Sequence, residues 1–220
     1  MRNRFDQQLE LLNKMLIHMG ELCKTAIEKA TASLKTRDME LAKAVIAADS
    51  EIDQMEKDIE SLCLKLLLQQ QPVARDLRQI SAALKMITDM ERIGDQTGDI
   101  ADIVLSAEIP EEQDMTDIEK MAEAVAAMVS ESVAAYVEKD LEKARQVLVA
   151  DDEVDQMFDM IKKELVGVIA KNHGEKGNMA IDLIMITKYL ERIGDHATNI
   201  AEWVEFSITG IHAEGVVNCQ

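Results

Sequence analysis

The stretch ERIGDQTGDIADIV, residues Glu91–Val104, returns one hundred residues later as ERIGDHATNIAEWV, residues Glu191–Val204, with 8 of 14 positions identical. A second pair precedes it in the same order: DSEIDQMEKDIE begins at Asp49 and DDEVDQMFDMIK begins at Asp151, and 6 of their 12 positions agree. Two matching blocks in one order, at nearly one offset, indicate an internal duplication. The chain is therefore predicted to consist of two similar halves.

The composition favours helices over strands. Among 220 residues there are only 2 prolines and 9 glycines, and aromatic residues make up 3%, so turn formers and typical strand formers are scarce. Apolar residues account for 47% of the chain, which is enough to close a hydrophobic core. In the first half they recur at helical spacing, as in Leu9, Leu12, Leu16 and Met19. Each half is predicted to form three helices.

Polar breaks and prolines give the expected boundaries. In the first half, one helix ends at the polar break around Lys35–Asp38, a second ends before Pro72, and a third covers about Val73–Ser106. Pro110 marks a hinge between the halves. The second half is predicted to contain helices at about Asp114–Val137, Asp140–Ala170 and Met179–Ile211. The expected fold is all-α, with two tandem antiparallel three-helix bundles at residues 1–108 and 109–212 and a tail at 213–220.

Charge and cysteine content argue against several classes of function. The chain has 24 Lys and Arg against 42 Asp and Glu, a net charge of −18, so its field repels nucleic acid backbones and anionic lipids, and direct nucleic-acid binding is not expected. No stretch approaches the roughly 18 apolar residues of a membrane span. We therefore expect no direct membrane insertion, and any membrane association to run through a partner. Three cysteines without a CxxC spacing argue against a disulfide framework and fit a reducing cytoplasm.

The duplication preserves a set of regularly spaced carboxylates. On the second helix of each half two aspartates stand four positions apart, and on the third helix two acidic residues are followed at the same spacing by an aspartate or an asparagine. Stacked like charges at this spacing cost about 0.2 to 0.5 kcal/mol per pair, so we expect a cation to compensate them. The candidate metal ligands are Asp49, Asp53, Glu91, Asp95 and Asp99 in the first half and Asp151, Asp155, Glu191, Asp195 and Asn199 in the second.

These residues do not specify the metal, because Mg²⁺, Mn²⁺, iron and zinc all accept carboxylate oxygen ligands. His196 is a further possible ligand, although its counterpart in the first half is Gln96. The alternative interpretation is a solvated acidic helix face that nearby arginines, such as Arg92 and Arg192, partly neutralise. Both interpretations remain open at the level of sequence.

The third helices carry two irregularities near these acids. The apolar stripe through Leu84 and Ile87 continues to Glu91, so an acid stands where a hydrophobic residue is expected. Gly94 and Gly194 lie within helices, where glycine costs roughly 0.8 to 1 kcal/mol relative to alanine. We expect a neighbouring helix or a ligand to approach the backbone closely at both glycines.

Motifs of the common enzyme classes are absent. The sequence contains no HExxH, GxxxxGK[ST], GxSxG or GxGxxG, which are signatures of metalloproteases, NTPases, hydrolases and dinucleotide enzymes. It also lacks the Glu-x-x-His pairs that a ferritin-like di-iron core requires. A binding or regulatory role is favoured, and an enzyme with a di-metal carboxylate centre, a hydrolase or an oxidase, is the alternative.

Three runs of sequence resemble the PhoU family, the accessory regulators of phosphate-specific transport. They are QQPVARDLRQI at residues 70–80, ERIGDQTGDIAD at residues 91–102 and ERIGDHATNIAEWVEF at residues 191–206. The resemblance extends over Arg4–His212 and includes the duplication and the number of helices. It implies a cytoplasmic, non-enzymatic negative regulator, peripheral to the membrane, that links a phosphate ABC transporter to a sensor histidine kinase.

The resemblance also implies a homodimer and clusters of iron or zinc at the acidic motifs, which fall on the ten candidate ligands given above. Asn199 departs from the acidic pattern that Asp99 keeps. We therefore expect the second site to hold cations less tightly than the first, since an amide oxygen brings no charge. The second half also offers no counterpart to PVARDLR, so Arg75 and Arg78 are not duplicated.

Overall fold

A computed structural model describes residues 2–70, 73–110 and 112–211, and within them it contains six α-helices and no strand. The prediction of an all-α fold is therefore confirmed. The helices are α1 (Arg2–Thr36), α2 (Met39–Gln70), α3 (Ala74–Ser106), α4 (Thr116–Glu138), α5 (Leu141–Lys171) and α6 (Gly177–Thr209).

The observed boundaries lie within a few residues of most of those expected. The first helix extends back to Arg2, and α6 begins at Gly177 and ends at Thr209 rather than at Ile211. The earlier end of α6 follows from Gly210, whose φ of +81° places it in the left-handed region that glycine adopts readily. Pro72, expected at the start of the third helix, and the tail at 213–220 lie outside the described residues.

The helices form two bundles that pack side by side. In the first half α2 packs against α1 and α3, and in the second half α5 packs against α4 and α6. Across the halves, α3 packs against α6 and α1 packs against α4. Apolar side chains from all six helices form one hydrophobic core, with Leu16, Ile59, Met86, Val129, Val154 and Ile193 among its buried members.

The same turn joins the first two helices of each half. Arg37 and Lys139 have φ values of +55° and +58°, and each is followed by an aspartate that caps the next helix. Asp38 accepts from the backbone N–H of Leu41 at 3.0 Å, and Asp140 accepts from that of Lys143 at 3.0 Å. Such caps satisfy N–H groups that have no partner inside the helix. The duplication thus extends to the turns.

The connection that contains Pro110 is held against the end of α1. The Nε of Arg37 donates to the carbonyl of Ile109 at 2.9 Å, and its Nη2 donates to the carbonyl of Pro110. The predicted hinge between the halves is therefore tied to the turn between α1 and α2.

Two of the three cysteines lie among the described residues, and both are free. Cys23 and Cys63 are buried, and burial is the main reason that the pKa of each thiol rises to about 12. Both side chains act as small apolar core residues rather than as nucleophiles. None of the helices described is both long enough and apolar enough to cross a membrane.

Candidate functional site

The carboxylates of the first half meet along the contact between α2 and α3. Asp49 of α2 is half-buried. Its pKa is raised mainly by burial, and further by the charges of Asp53, Asp95 and Asp99. Four of the five predicted first-half residues therefore interact electrostatically. We refer to Asp49, Asp53, Glu91, Asp95 and Asp99 as the first acidic seam.

Gly94 allows α2 to approach α3 closely at the middle of this seam. A Cβ atom at Gly94 would lie 2.6 Å from Oδ1 of Asp49 and 3.1 Å from Cδ1 of Ile52, both on α2. The prediction that a neighbouring helix approaches this glycine is confirmed. Oδ1 of Asp49 is buried and accepts no hydrogen bond from the residues that the structure describes. A buried acceptor without a donor costs about 1 to 3 kcal/mol, so this oxygen is a candidate ligand atom.

Glu91 extends the seam, and Arg92 partly neutralises it. Burial raises the pKa of Glu91 first, and the charges of Asp95, Glu56 and Asp53 raise it further, whereas Arg92 lowers it. Nε of Arg92 lies 3.5 Å from Oε2 of Glu91, and its Nη1 lies 2.8 Å from Oδ2 of Asp95. The arginine side chain is half exposed, so these pairs stabilise the fold by at most about 1 kcal/mol each. The seam keeps a net negative charge.

The second half repeats the seam in a more exposed form. The pKa of Asp151 is raised mainly by burial and then by Asp195 and Asp155, both of which are exposed. The Thr198 hydroxyl, which donates to the carbonyl of Gly194 at 3.1 Å, is also close enough to Asp151 to hydrogen-bond it, and this lowers the pKa of Asp151. We refer to Asp151, Asp155, Glu191 and Asp195 as the second acidic seam, and Glu191 within it pairs with Lys188.

The two seams differ at one repeat position. Residue 98 of α3 is glycine, and its counterpart on α6 is Thr198. Asp151 thus has a hydroxyl partner from the neighbouring helix, and Asp49 has none. The contact at Gly194 is also looser, because a Cβ there would lie 3.5 Å from Oδ1 of Asp151 and 3.4 Å from Val154. The first seam is the tighter and the less well satisfied of the two.

Asn199 faces the other half of the molecule. Its Nδ2 donates to Oδ1 of Asp89 on α3 at 3.1 Å, and Nδ1 of His196 lies 2.9 Å from the same oxygen. The candidate ligands Asn199 and His196 are therefore engaged at the contact between α3 and α6. The repeat-related contact joins Asp99 to Tyr189, whose hydrogen bond lowers the pKa of the aspartate against the larger effect of burial.

The seams are not preassembled metal sites. Within residues 2–70, 73–110 and 112–211, no three His, Cys, Asp or Glu side chains are grouped as one bound ion would require. The carboxylates are close enough to raise one another's pKa. Side-chain rotation would be needed before several of them could contact one ion.

Four residues of this region escaped the sequence analysis. They are Glu56, whose pKa burial and the charges of Glu60 and Asp53 raise, together with Asp89, Tyr189 and Thr198. The aligned blocks already pair Gly98 with Thr198, and extending them by two residues towards the N-terminus pairs Asp89 with Tyr189. The contacts themselves depend on the packing of different helices, which no spacing within one helix reveals.

The family model of the PhoU domain matches residues 16–104 and again residues 118–204. The chain belongs to the PhoU family. The two matches correspond to the two predicted repeats, so the expected duplicated fold is confirmed. Each match contains one acidic seam of this PhoU protein.

Known proteins agree with this assignment over nearly the full length. The chain is 36% identical over 211 residues to the phosphate-specific transport system accessory protein PhoU homolog of Clostridium acetobutylicum, covering 95% of this chain and 96% of that protein. The crystal structure of PhoU from Pseudomonas aeruginosa superposes with a TM-score of 0.86 at 31% identity, covering 94% of this chain and 100% of that one. The phosphate transport system regulatory protein PhoU from Streptococcus pneumoniae gives a TM-score of 0.88 at 27% identity, covering 96% and 99%.

The two helix glycines of the PhoU repeats should respond differently to alanine. In Gly194→Ala the new methyl group meets only ordinary contacts, so the higher helix propensity of alanine should raise the free energy of unfolding by up to about 1 kcal/mol. In Gly94→Ala the methyl group would lie 2.6 Å from Asp49, so we expect no gain or a net loss. Urea unfolding measures both variants. Equal stabilisation by both substitutions would contradict the close contact at Gly94.

The acidic seams should make the metal-free protein more stable at mildly acidic pH. The carboxyl groups with raised pKa values are Asp49, Glu56, Glu91, Asp99, Asp151 and Asp195. An acid whose pKa is higher in the folded state binds more protons there, so its contribution to stability falls as pH rises through the raised pKa. The free energy of unfolding of chelated protein should therefore increase as the pH falls from neutral through the raised pKa values towards the ordinary values of 3.8 and 4.5.

Two substitutions test this pH dependence, one within a seam and a control outside both seams. Asp49→Asn should flatten the rise, whereas Glu164→Gln, which removes an exposed charge outside both seams, should leave it unchanged. Asp114, whose pKa is lowered by hydrogen bonds from Thr116, contributes in the opposite sense only below 3.8. Stability that stays constant or falls as the pH drops through this window would show that the seams are not electrostatically strained.

Proposed function

We propose that this protein is a regulatory accessory protein of phosphate uptake. It acts in the cytoplasm as an adaptor between a phosphate ABC transporter and a sensor histidine kinase, and it represses phosphate-starvation genes when phosphate is ample. The observation that carries the proposal is the PhoU match over both repeats, together with full-length relatives that are named as accessory or regulatory proteins of phosphate transport. The net charge of −18 suits binding to basic surfaces of partner proteins.

The first acidic seam is the proposed site of a bound metal ion, iron or zinc, with magnesium or manganese as alternatives. Oδ1 of Asp49 fits this role because it is buried beside Gly94 and lacks a hydrogen-bond donor. Asp53 and Asp95 are proposed as further ligands, since their charges raise the pKa of Asp49. An ion bound there would neutralise the seam and join α2 to α3.

The second acidic seam should hold an ion less tightly than the first. Asp155 and Asp195 are exposed, and Asp151 already has a hydroxyl partner in Thr198. Asn199 supplies no charge, and its amide nitrogen is bonded to Asp89. Fewer anionic ligands and better satisfied oxygens both lower the gain from binding a cation.

A di-metal carboxylate enzyme is the second candidate function, because metal bound between carboxylates can activate water or oxygen. Phosphatase and oxidase assays on metal-loaded protein distinguish the two functions. Turnover that Glu91→Ala abolishes would replace the regulatory role by an enzymatic one. A homodimer is also proposed, and light scattering of the purified protein tests it.

Deletion of the gene should leave phosphate-starvation genes expressed in phosphate-rich medium. The reason is that the adaptor is required to report transporter activity to the kinase. A reporter fused to a starvation promoter measures the effect, and a plasmid copy of the intact gene should restore repression whereas the empty plasmid should not. Affinity capture from cells grown with ample phosphate should recover a transporter subunit and the kinase. Unchanged reporter output together with capture of neither partner would refute the adaptor role.

Asp95→Ala should lower metal content and Tm in metal-containing buffer more than Asp195→Ala does. Asp95 belongs to the seam with the unsatisfied oxygen, and a ligand at 100 times its dissociation constant stabilises the folded state by about 2.7 kcal/mol. Atomic emission on purified protein measures the metal, and the difference in Tm between the variants should shrink after chelation. Equal losses would show that the seams bind alike, and metal-independent behaviour of both variants would exclude a metal at the seams.

Gly98→Thr gives a sharper form of this comparison, since it introduces into the first half the hydroxyl that Thr198 supplies in the second. No atom lies within 4 Å of a Cβ at Gly98, so the side chain has room. The hydroxyl should occupy Asp49 and weaken metal binding, whereas Gly98→Ala, the matched control, should retain it. Identical metal affinity in the two variants would rule out Asp49 as the deciding ligand.

A further inference from the structure

A small cavity lined by basic side chains lies outside both acidic seams. Its volume is about 280 Å³, and it lies between the first turns of α3, the turn between α4 and α5, and the last turns of α6. The lining residues are Arg75, Arg78, Gln79, Lys139, Ser207 and Ile208. None of these six is acidic, in a chain whose net charge is −18.

The three cations of this basic cavity have no carboxylate partner. Arg75, Arg78 and Lys139 form no ion pair with any residue in 2–70, 73–110 or 112–211. Nε of Arg78 is buried and has no hydrogen-bond acceptor within the same ranges. A buried charged donor without an acceptor is costly, so an anion in the cavity would stabilise the arginine.

Three segments of the fold bring these side chains together, and Arg78 is the most buried of the three cations. Arg75 and Arg78 are one turn apart and share a face of α3. The Arg78 side chain packs against the end of α6, where a Cβ at Gly210 would lie 3.5 Å from its Cδ. Lys139 is the left-handed residue that ends α4. The hydroxyl of Tyr136 donates to the carbonyl of Gln79 at 2.8 Å and so joins α4 to α3 beside the cavity.

The start of α3 adds a favourable dipole. Its first-turn N–H groups receive no side-chain cap, because the N-cap residue is Val73. Uncapped N–H groups and the positive end of the helix dipole favour an anion at this end. Asp76, the acidic residue of this turn, does not line the cavity.

The corresponding residues of the other repeat do not reproduce the charges of this cavity. At the repeat offset, Arg75 and Arg78 correspond to Glu175 and Asn178. Lys139 corresponds to Arg37, whose guanidinium is already bonded to the carbonyls of Ile109 and Pro110. Among the residues that the structure describes, the positions that correspond to Arg75, Arg78 and Lys139 in the other repeat therefore do not form a second set of unpaired cations.

We propose that the basic cavity binds one phosphate group, either free inorganic phosphate or the phosphate of a small monoester. Two guanidinium groups and one ammonium group supply the charged donors that a phosphate accepts. The Ser207 hydroxyl beside them donates to the carbonyl of Val204 at 2.7 Å. The volume lies at the lower limit of the roughly 300 to 1,000 Å³ typical of ligand pockets, so a small anion fits better than a nucleotide. The surrounding negative charge makes selectivity depend on these short-range hydrogen bonds rather than on the overall field.

Isothermal titration calorimetry tests this proposal on full-length, chelated protein in a phosphate-free buffer. Inorganic phosphate should bind once per chain and raise Tm. Arg75→Gln and Arg78→Gln should each weaken binding about tenfold or more, because a charged hydrogen bond contributes about 1.5 to 3 kcal/mol. Lys139→Asn should also weaken binding while keeping the left-handed turn, which asparagine tolerates. Lys29→Gln, which removes an exposed charge that does not line the cavity, should bind as the unmodified chain does.

The anions used as probes decide between the sources of the phosphate group. If glycerol phosphate binds as tightly as inorganic phosphate, the cavity is assigned to phosphate monoesters. If inorganic phosphate binds and glycerol phosphate does not, the cavity is assigned to the free ion. Sulfate that binds as tightly as phosphate would overturn the assignment to phosphate. Absence of binding, or an equal loss in Lys29→Gln, would overturn the site itself. Since chelation removes any metal and no partner is present, either result leaves the proposed regulatory function untouched.

Discussion

Apolar burial has to hold together two pairs of helices whose facing carboxylates repel each other, and this constraint shapes both halves of the molecule. On α2 the buried residues Val45, Ile52 and Ile59 fix which face meets α3. The same orientation of α2 about its axis places Asp49 at the edge of the core, beside Gly94. Because the four-residue spacing is set by the sequence, the helix cannot bury its apolar stripe without bringing the acids together. Only a proton, a cation or a partner's charge can then relieve the repulsion.

The contact between α3 and α6 connects the first acidic seam to the other half of the molecule. It is built as a symmetric interface within one chain: residue 99 meets residue 189, and residue 199 meets residue 89. In an isologous contact each pair occurs twice with the roles exchanged, and the duplication produces the same arrangement here. Asp99 contributes both to this interface and to the charge around Asp49. A change in the charge of Asp99 therefore also changes the electrostatic environment of Tyr189 in the other half.

The sequence predicts the parts of this structure that depend on local spacing. Helical periodicity locates the six helices, and the paired aspartates Asp38 and Asp140 explain where the second helix of each half begins. The repeated acids and Gly94 predict a close contact there, and the structure contains it. The direction of Asn199 could not be predicted, because it depends on which face of α6 packs against α3. The basic cavity was equally hidden, since Arg78, Lys139 and Ser207 come from three distant segments.

Differences between the repeats carry more functional information than their similarities. The shared residues build the bundles and the seams of both halves. The residues that differ change the charge or hydrogen bonding of one half only: Gly98 leaves Asp49 without the hydroxyl that Thr198 gives Asp151, and Arg75 is replaced by Glu175. A duplicated scaffold tolerates such changes because the second copy preserves the packing. The first half thereby keeps an unsatisfied anionic oxygen at its seam and an unsatisfied cationic donor at its end, and a ligand of opposite charge would stabilise either one.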